Sequence, residues 1–288
     1  MGFLARILAP VEFAERCAGA VRYAKTLADH FGSELTLLHV VPSPPPGMTE
    51  EVYARCTAEV KERLNAFLAA DLSGSSVRRI VVKGDPARKI VQYALNEQSD
   101  VIVMATHGLG GFRRHLLGSN TAKVLHDADC PVWTGVHLEG AGVSPPFPIR
   151  HILCAVDLGP QSANALAWAS TLQKECDARL TLAHAALSPP QRARAGAPHH
   201  SGAAESDWAV TFRGAAQKEL EQLRTDSEAA AEIVVESGEP AQVISEAAHR
   251  LSADILVIGR GSAAGALGRL RANAYAIIRQ SPCPVVSV

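Results

Sequence analysis

The sequence predicts an α/β protein made of two tandem, doubly wound domains, each with a five-stranded parallel sheet. Three observations support this prediction. Short apolar runs alternate with stretches of helical periodicity, which is typical of βαβ units. The same series of segments occurs twice along the 288-residue chain, in the same order. Between the two series lies a run rich in Gly, Ser and Pro, residues 138–148, which is typical of a linker.

The internal repeat consists of five short segments whose order is kept in both halves of the chain. The matched pairs are 6–12 with 151–157, 35–40 with 180–185, 84–90 with 238–244, 99–104 with 253–258, and 130–132 with 283–285. Five ordered matches indicate two copies of one domain. We therefore predict domains at residues 1–138 and 149–288.

The elements of the first copy follow from its local patterns. A strand buried on both faces of a parallel sheet is continuously apolar, and a helix on such a sheet carries an apolar stripe. The predicted strands are 4–10, 34–41, 77–83, 100–105 and 132–136. The predicted helices are 14–31, 49–71, 86–98 and 119–128. The second copy follows the same course, except that residues 188–207, rich in Pro, Ala, Gly and Ser, are predicted to form a surface loop.

Composition narrows the classes of function. Hydrophobic residues make up 47% of the chain and charged residues 20%, enough for ordinary globular cores. The formal net charge of −1 offers no bulk attraction to nucleic acid or to an anionic membrane, so we expect neither as a partner. No apolar run reaches the roughly 18 residues needed to span a bilayer. The six cysteines form no C-x-x-C pair, which predicts inert thiols and a cytoplasmic location.

A glycine-bearing loop follows the fourth predicted strand and contains Gly108, Gly110 and Gly111. The run Gly118-Ser119-Asn120-Thr121 then opens a predicted helix. Glycines let the backbone approach a ligand closely, and free amides and hydroxyls at a helix start bind anions. These residues predict a phosphate site. The same residues also fit a plain connection between strand and helix, with a serine cap on the helix.

The spacing of Gly108, nine residues, and Gly118-Ser119 resembles the G-x2-G-x9-G-[S/T] signature of the nucleotide-binding universal stress proteins. Ala105 stands where the signature has its first glycine, and Glu12 stands where the family usually has Asp. The resemblance covers both copies and implies a Rossmann-like, adenine-nucleotide α-hydrolase-like fold that binds ATP, with or without Mg²⁺. The implied binding residues are Pro10, Glu12, Val40 and Met104 around adenine and ribose, Gly108, Gly118, Ser119, Asn120 and Thr121 at the phosphates, and, adjoining them, Val11 and Ala105.

The second copy keeps the spacing of this signature but not its residues. Ser262 replaces the second glycine, and Ala272-Asn273 replaces the Gly-Ser pair. A methyl group at the phosphate position and the loss of a hydroxyl predict weakened or lost phosphate binding there. Asp157, in contrast, is the acid that the family has at the position of Glu12. His39 and His184 occupy matching strand positions, which favours a shared hydrogen-bonding or packing role over catalysis.

The resemblance implies that the protein is an ATP-binding regulatory module in the stress response. The resemblance implies that the two domains pair through their final strands, 132–136 with 285–288, and that two chains can then associate further. A protein partner is also expected, and the sequence does not name it. One alternative is a slow ATPase or self-phosphorylating enzyme using Ser119 or Thr121. No Walker lysine or other catalytic motif is present, so fast phosphoryl transfer is not expected. The other alternative is a scaffold that binds no nucleotide.

Overall fold

The computed structural model describes residues 2–74, 76–106, 117–135, 147–186, 207–260 and 272–288, in which helices and strands alternate. The strands are β1 (Arg6–Pro10), β2 (Glu34–Val41), β3 (Val77–Lys83), β4 (Val101–Met104), β5 (Val132–Thr134), β6 (His151–Ala155), β7 (Arg179–Ala186), β8 (Ala231–Ser237), β9 (Ile255–Ile258) and β10 (Val285–Ser287). The helices are α1 (Glu15–Phe31), α2 (Glu50–Ala66), α3 (Pro86–Asn96), α4 (Ser119–Asp127), α5 (Ser162–Cys176), α6 (Asp207–Asp226), α7 (Pro240–Arg250) and α8 (Ala272–Gln280).

The strands form one ten-stranded sheet in the order β3-β2-β1-β4-β5-β10-β9-β6-β7-β8. Each half is a five-stranded parallel sheet. The order in which strands are added to the sheet reverses beside β1 in the first half and beside β6 in the second, as in a doubly wound fold. The halves join where β5 and β10 run antiparallel, with Trp133 opposite Val286. The predicted fold class is confirmed, and the pairing of final strands implied by the family resemblance is present. The domain limit predicted at residue 138 lies outside the described residues and stays a prediction.

Several predicted element boundaries differ from the observed ones. Local backbone conformation explains the two that follow. The first strand begins at Arg6 and not at residue 4, because Leu4 has a φ of 54° and belongs to a turn. The second helix ends at Ala66 and not at residue 71, because Leu68 has a φ of 51°, which a right-handed helix cannot contain. The loop predicted at residues 188–207 lies almost entirely outside the described residues.

Each face of the sheet carries a core that extends across both halves. One face packs on α1, α2, α5 and α6, and the other packs on α3, α4, α7 and α8. At the centre of the first core, the ring of Trp133 lies 5.6 Å from that of Tyr23 and 6.2 Å from that of Trp168, measured between centroids. Trp168 in turn meets Phe3 at 5.4 Å. Aromatic side chains from both domains therefore interlock behind the β5–β10 junction.

All six cysteines are free thiols. Burial raises the pKa of most of them well above 9, so little thiolate, the reactive form, is present at neutral pH. The pKa is about 11 for Cys17, Cys130, Cys176 and Cys283 and about 12 for Cys154. These values agree with the prediction of inert cysteines. In the part of the chain that the structure describes, no helix is both long and apolar enough to cross a bilayer.

Candidate functional site

The candidate site of the first domain lies where the order of its strands reverses. β1 is flanked by β2 on one side and by β4 on the other, so the connections leaving β1 and β4 diverge at their carboxyl ends. Parallel sheets bind ligands in the crevice that opens at such a point. The residues after β1, the end of β2, the end of β4 and the start of α4 all reach this edge, and they contain most of the predicted binding residues.

The segment after β1 forms a fixed floor of the site. Pro10 and Val11 are buried, and the amide of Val11 donates to the carbonyl of Leu38 at 2.9 Å. The Nδ1 of His39 lies 2.7 Å from the carbonyl oxygen of Val11 and must donate to it, because a carbonyl only accepts. The chain then turns sharply and leaves the Glu12 side chain exposed at the mouth of the crevice.

The matching histidines have the structural role predicted for them. His184 repeats the contact of His39, with its Nδ1 2.9 Å from the carbonyl oxygen of Val156. Each ring therefore locks the segment after the first strand of its own domain onto the neighbouring strand. The ring of His39 also stacks on Phe13, with centroids 4.5 Å apart.

We expect His39 to titrate below its ordinary pKa of 6.5, because burial disfavours the charged imidazolium. A histidine whose pKa is lowered by folding contributes fully to the free energy of unfolding above pH 6.5, the pKa in the unfolded chain. This contribution is lost as the pH falls from 6.5 through the lower native pKa. Proton NMR titration of the ring measures the pKa directly. The His39→Gln variant is the control, since it should lose this part of the acid sensitivity; a native pKa at or above 6.5 would contradict the assignment.

The predicted phosphate end of the site is the start of α4. Gly118 is the N-cap, with a φ of −58° and no side chain to cap the first amides, whereas the side chains of Thr49 and Asp85 cap α2 and α3. Ser119 is the first helical residue and is exposed. The serine-cap alternative is therefore wrong in detail, because Ser119 lies inside the helix and the cap position belongs to glycine.

Two side chains tie this helix start to the ends of the strands. Asn120 Nδ2 donates to Glu12 Oε1 at 3.5 Å, which brings a predicted phosphate residue beside the predicted ribose residue. Thr121 is only 4% exposed, and its hydroxyl donates to the carbonyl of Ala105 at 3.1 Å. Thr121 thus fastens α4 to β4, and its contact with phosphate stays a prediction. Gly108 lies outside the described residues.

Apolar residues close the other side of the crevice. Val40 and Met104 are buried together in the core on the α3 and α4 face of the sheet. Leu117, which the sequence analysis did not select, joins them there at 7% exposure. Its position between a glycine-rich loop and Gly118 gave no periodic signal, so only the folded structure identifies it.

The substitution of Ala105 for glycine is compatible with an open site. Gly259 occupies the matching position in the second domain, and a Cβ added there would lie 3.6 Å from the Cβ of Gln161 and 3.7 Å from that of Ala165. These are ordinary van der Waals distances, and both atoms belong to the first turn of α5 or its N-cap. Ala105 itself packs against the core on the α1 face. Its methyl group therefore lies on the opposite face of the sheet from the core that contains Val40 and Met104.

The second domain has a cavity of about 190 Å³ at the equivalent edge. Asp157 lines it, and its Oδ1 accepts from the amide of Gly159 at 2.9 Å and the hydroxyl of Ser162 at 3.4 Å. In the first domain, the positions of Gly159 and Ser162 hold Ala14 and Cys17, and Glu12 reaches across to α4. The two domains therefore hold their acidic side chains differently.

A buried arginine is the main feature that the sequence analysis missed. Arg260 follows β9 in the second domain and lies against its cavity, yet it is only 5% exposed. Its guanidinium donates to three carbonyl oxygens of the first domain, those of Leu125, Ala128 and Cys130. The available signal was its position, because Arg260 occupies the place of Thr106, two residues after a fully apolar strand.

Comparison with known proteins agrees with the two-domain fold. The family model for the universal stress protein family matches residues 4–134 and again residues 148–288. The chain belongs to the universal stress protein family. A curated universal stress protein of Thermus aquaticus is 31% identical over 129 residues, which cover 44% of this chain and 94% of that protein. Two copies of the family domain therefore account for nearly the whole chain.

Solved structures of universal stress proteins share the architecture. One from Archaeoglobus fulgidus DSM 4304 covers 99% of this chain and 98% of its own, with a TM-score of 0.74 at 21% identity. That likeness concerns the fold, including the tandem arrangement. Another universal stress protein, matching 44% of this chain at 17% identity with a TM-score of 0.37, was solved in complex with cAMP.

Proposed function

We propose that the first domain binds ATP at the carboxyl ends of β1 and β4, and that the protein acts as a nucleotide-dependent regulatory module in the stress response. The observation that carries the proposal is the joint placement of Glu12 and the start of α4, linked through Asn120. A carboxylate that can accept ribose hydroxyls then stands beside uncapped helix amides that can receive phosphates. This pairing of polar groups suits a nucleotide better than a simple anion.

The surrounding residues fit the remaining parts of the ligand. Buried Val40 and Met104 offer an apolar wall for the adenine ring next to Pro10. The backbone amides of Ser119 and Asn120 and the exposed Ser119 hydroxyl offer donors to the phosphates. Within the described ranges, no three side chains of His, Cys, Asp or Glu group in a way that could hold a metal. A Mg²⁺ ion would be held mainly by the nucleotide phosphates, with Glu12 as a carboxylate at the same edge of the sheet.

The slow-enzyme alternative depends on the two hydroxyls at the start of α4. Thr121 already donates its proton to Ala105 and is buried, so Ser119 is the better placed of the two as a phosphoryl acceptor. That alternative predicts release of ADP from ATP, abolished in the double variant Ser119→Ala, Thr121→Ala. A regulatory module predicts ATP binding without turnover that depends on these hydroxyls.

The proposal is tested by mass spectrometry of the nucleotide that co-purifies with the protein, followed by calorimetric titration. We expect one ATP per chain with a Kd near micromolar, or about −8 kcal/mol. Titration with GTP is the matched control, since it shares the triphosphate but not the adenine, and it should bind far more weakly. Two ATP per chain would show that the second cavity also accepts nucleotide. No binding up to millimolar ATP would contradict the proposal and favour the scaffold.

A further inference from the structure

The second domain reaches both ends of α4 in the first domain. Tyr275, on α8, accepts a hydrogen bond at its hydroxyl from the amide of Leu117 at 3.0 Å, one residue before the N-cap of α4. Arg260 donates to the carbonyl of Leu125 in the last turn of α4 at 3.1 Å and to that of the C-cap residue Ala128 at 2.9 Å. It also donates to Cys130 in the connection to β5 at 2.7 Å.

The hydrogen bonds from Arg260 to the carboxyl end of α4 are charge-assisted, and such bonds are stronger than those between neutral groups. The last carbonyls of any helix lack intrahelical partners and carry partial negative charge, so a cation there is favourable. Arg260 is shielded from water, and its charged fork contacts several carbonyls at once. Its own backbone is fixed, because its amide donates to the carbonyl of Val288 at 2.8 Å at the end of the central sheet.

A helix as short as α4 depends on such partners. It has 9 residues, and helices of this length are marginal without tertiary contacts. At its start, the amide of Gly118 donates to the carbonyl of Thr106 at 2.8 Å, so the segment entering the helix is held from both domains. The position of the first amides of α4, which would receive the phosphates, therefore depends on atoms of the second domain.

The two clamping residues stand at positions where the second domain diverges from the first. Arg260 matches Thr106, and Tyr275 matches Thr121, whose hydroxyl stays within its own domain on Ala105. At the carboxyl end of α8, in contrast, the hydrogen bond comes from the same domain, because the hydroxyl of Ser245 donates to the carbonyl oxygen of Gln280 at 2.7 Å. The two residues of the second domain that differ from their counterparts thus form hydrogen bonds to the first domain.

We propose that Arg260 and Tyr275 of the second domain are positioning residues for the nucleotide bound by the first domain. They hold α4 at both of its ends. This inference rests on the proposed function for its effect on ATP, but the clamp itself has a readout that needs no nucleotide. It assigns the second domain a role in the first site that does not require any ligand of its own.

The experiment combines amide hydrogen exchange of α4 without nucleotide and calorimetric ATP titration. Tyr275→Phe removes only the hydroxyl, and Arg260→Met removes the charge while keeping an unbranched apolar stem. We expect amides of α4 to exchange about tenfold faster in both variants, and the Kd for ATP to rise about threefold in Tyr275→Phe and about tenfold in Arg260→Met. Arg260→Lys should restore part of the affinity, because it keeps a donor at the helix end.

Arg279→Met is the matched control, since Arg279 is an exposed arginine on α8. It should change neither readout. Unchanged exchange of α4 in both Tyr275→Phe and Arg260→Met overturns the clamp, and faster exchange with an unchanged Kd overturns the positioning role. If the unmodified protein binds no ATP, the proposed function fails, and the exchange rates alone still decide whether the second domain holds α4. Tyr275→Phe is the decisive variant if Arg260→Met fails to fold.

Discussion

Replacement of Gly118 by valine should raise the Kd for ATP about 100-fold, a loss of about 2.7 kcal/mol. Gly118 is the N-cap of α4, so a branched side chain there would occupy the space in front of the first helix amides. Its φ of −58° and ψ of 143° suit any residue, so the backbone needs no adjustment. The free energy of unfolding should therefore change by less than about 1 kcal/mol, since the glycine effect on the unfolded chain is of that size. Calorimetric titration and urea unfolding measure the two quantities.

The matched control for Gly118→Val is Ala272→Val, which adds bulk at the corresponding position of the second domain. We expect it to leave both the Kd and the stoichiometry of one ATP per chain unchanged. A Gly118→Val protein that binds ATP as tightly as the original would show that the phosphates do not lie at α4. A lowered stoichiometry in Ala272→Val would instead show that the second domain also binds nucleotide.

Replacement of Trp133 by alanine should lower the free energy of unfolding by about 4 kcal/mol, as for other fully buried aromatic residues. Trp133 is 0% exposed, pairs with Val286 across the domain junction, and contacts Tyr23 and Trp168. Its loss opens a cavity where the two half-sheets meet, so both domains should be affected together. Urea unfolding followed by circular dichroism measures the change without relying on tryptophan fluorescence.

Two controls separate this cavity from other effects. Trp133→Phe keeps an aromatic ring and removes an indole Nε1 that finds no hydrogen-bond partner among the described residues, so it should cost only about 1 kcal/mol. Leu95→Ala trims a side chain that is 60% exposed and should change stability by less than about 0.5 kcal/mol. A loss below 1 kcal/mol in Trp133→Ala would mean that the junction does not contribute to the stability of the folded chain.

Local pattern was enough to predict most elements. The bounds of β2 and β3 agree with their predictions, because each is a single run of strand-forming residues between clear breaks. The predicted end of α2 is wrong, because the helical pattern in the sequence continues past Ala66, whereas the chain turns at Leu68, whose side chain packs against the core. Part of the candidate site could also be predicted, because Glu12 and Asn120 belong to segments that a parallel sheet brings to one edge.

The internal repeat, the alternation of strands and helices, and the glycine-bearing motif of the first copy can all be read from the amino-acid sequence alone. Periodicity and turn chemistry are local, so these features need no knowledge of distant neighbours. The contacts of Arg260 and Tyr275 with the α4 segment, and the hydrogen bond of Thr121 to Ala105, follow from the packing of the folded chain and could not be predicted. A polar side chain has several possible partners in an unfolded chain, and the packing of the two half-sheets selects one of them.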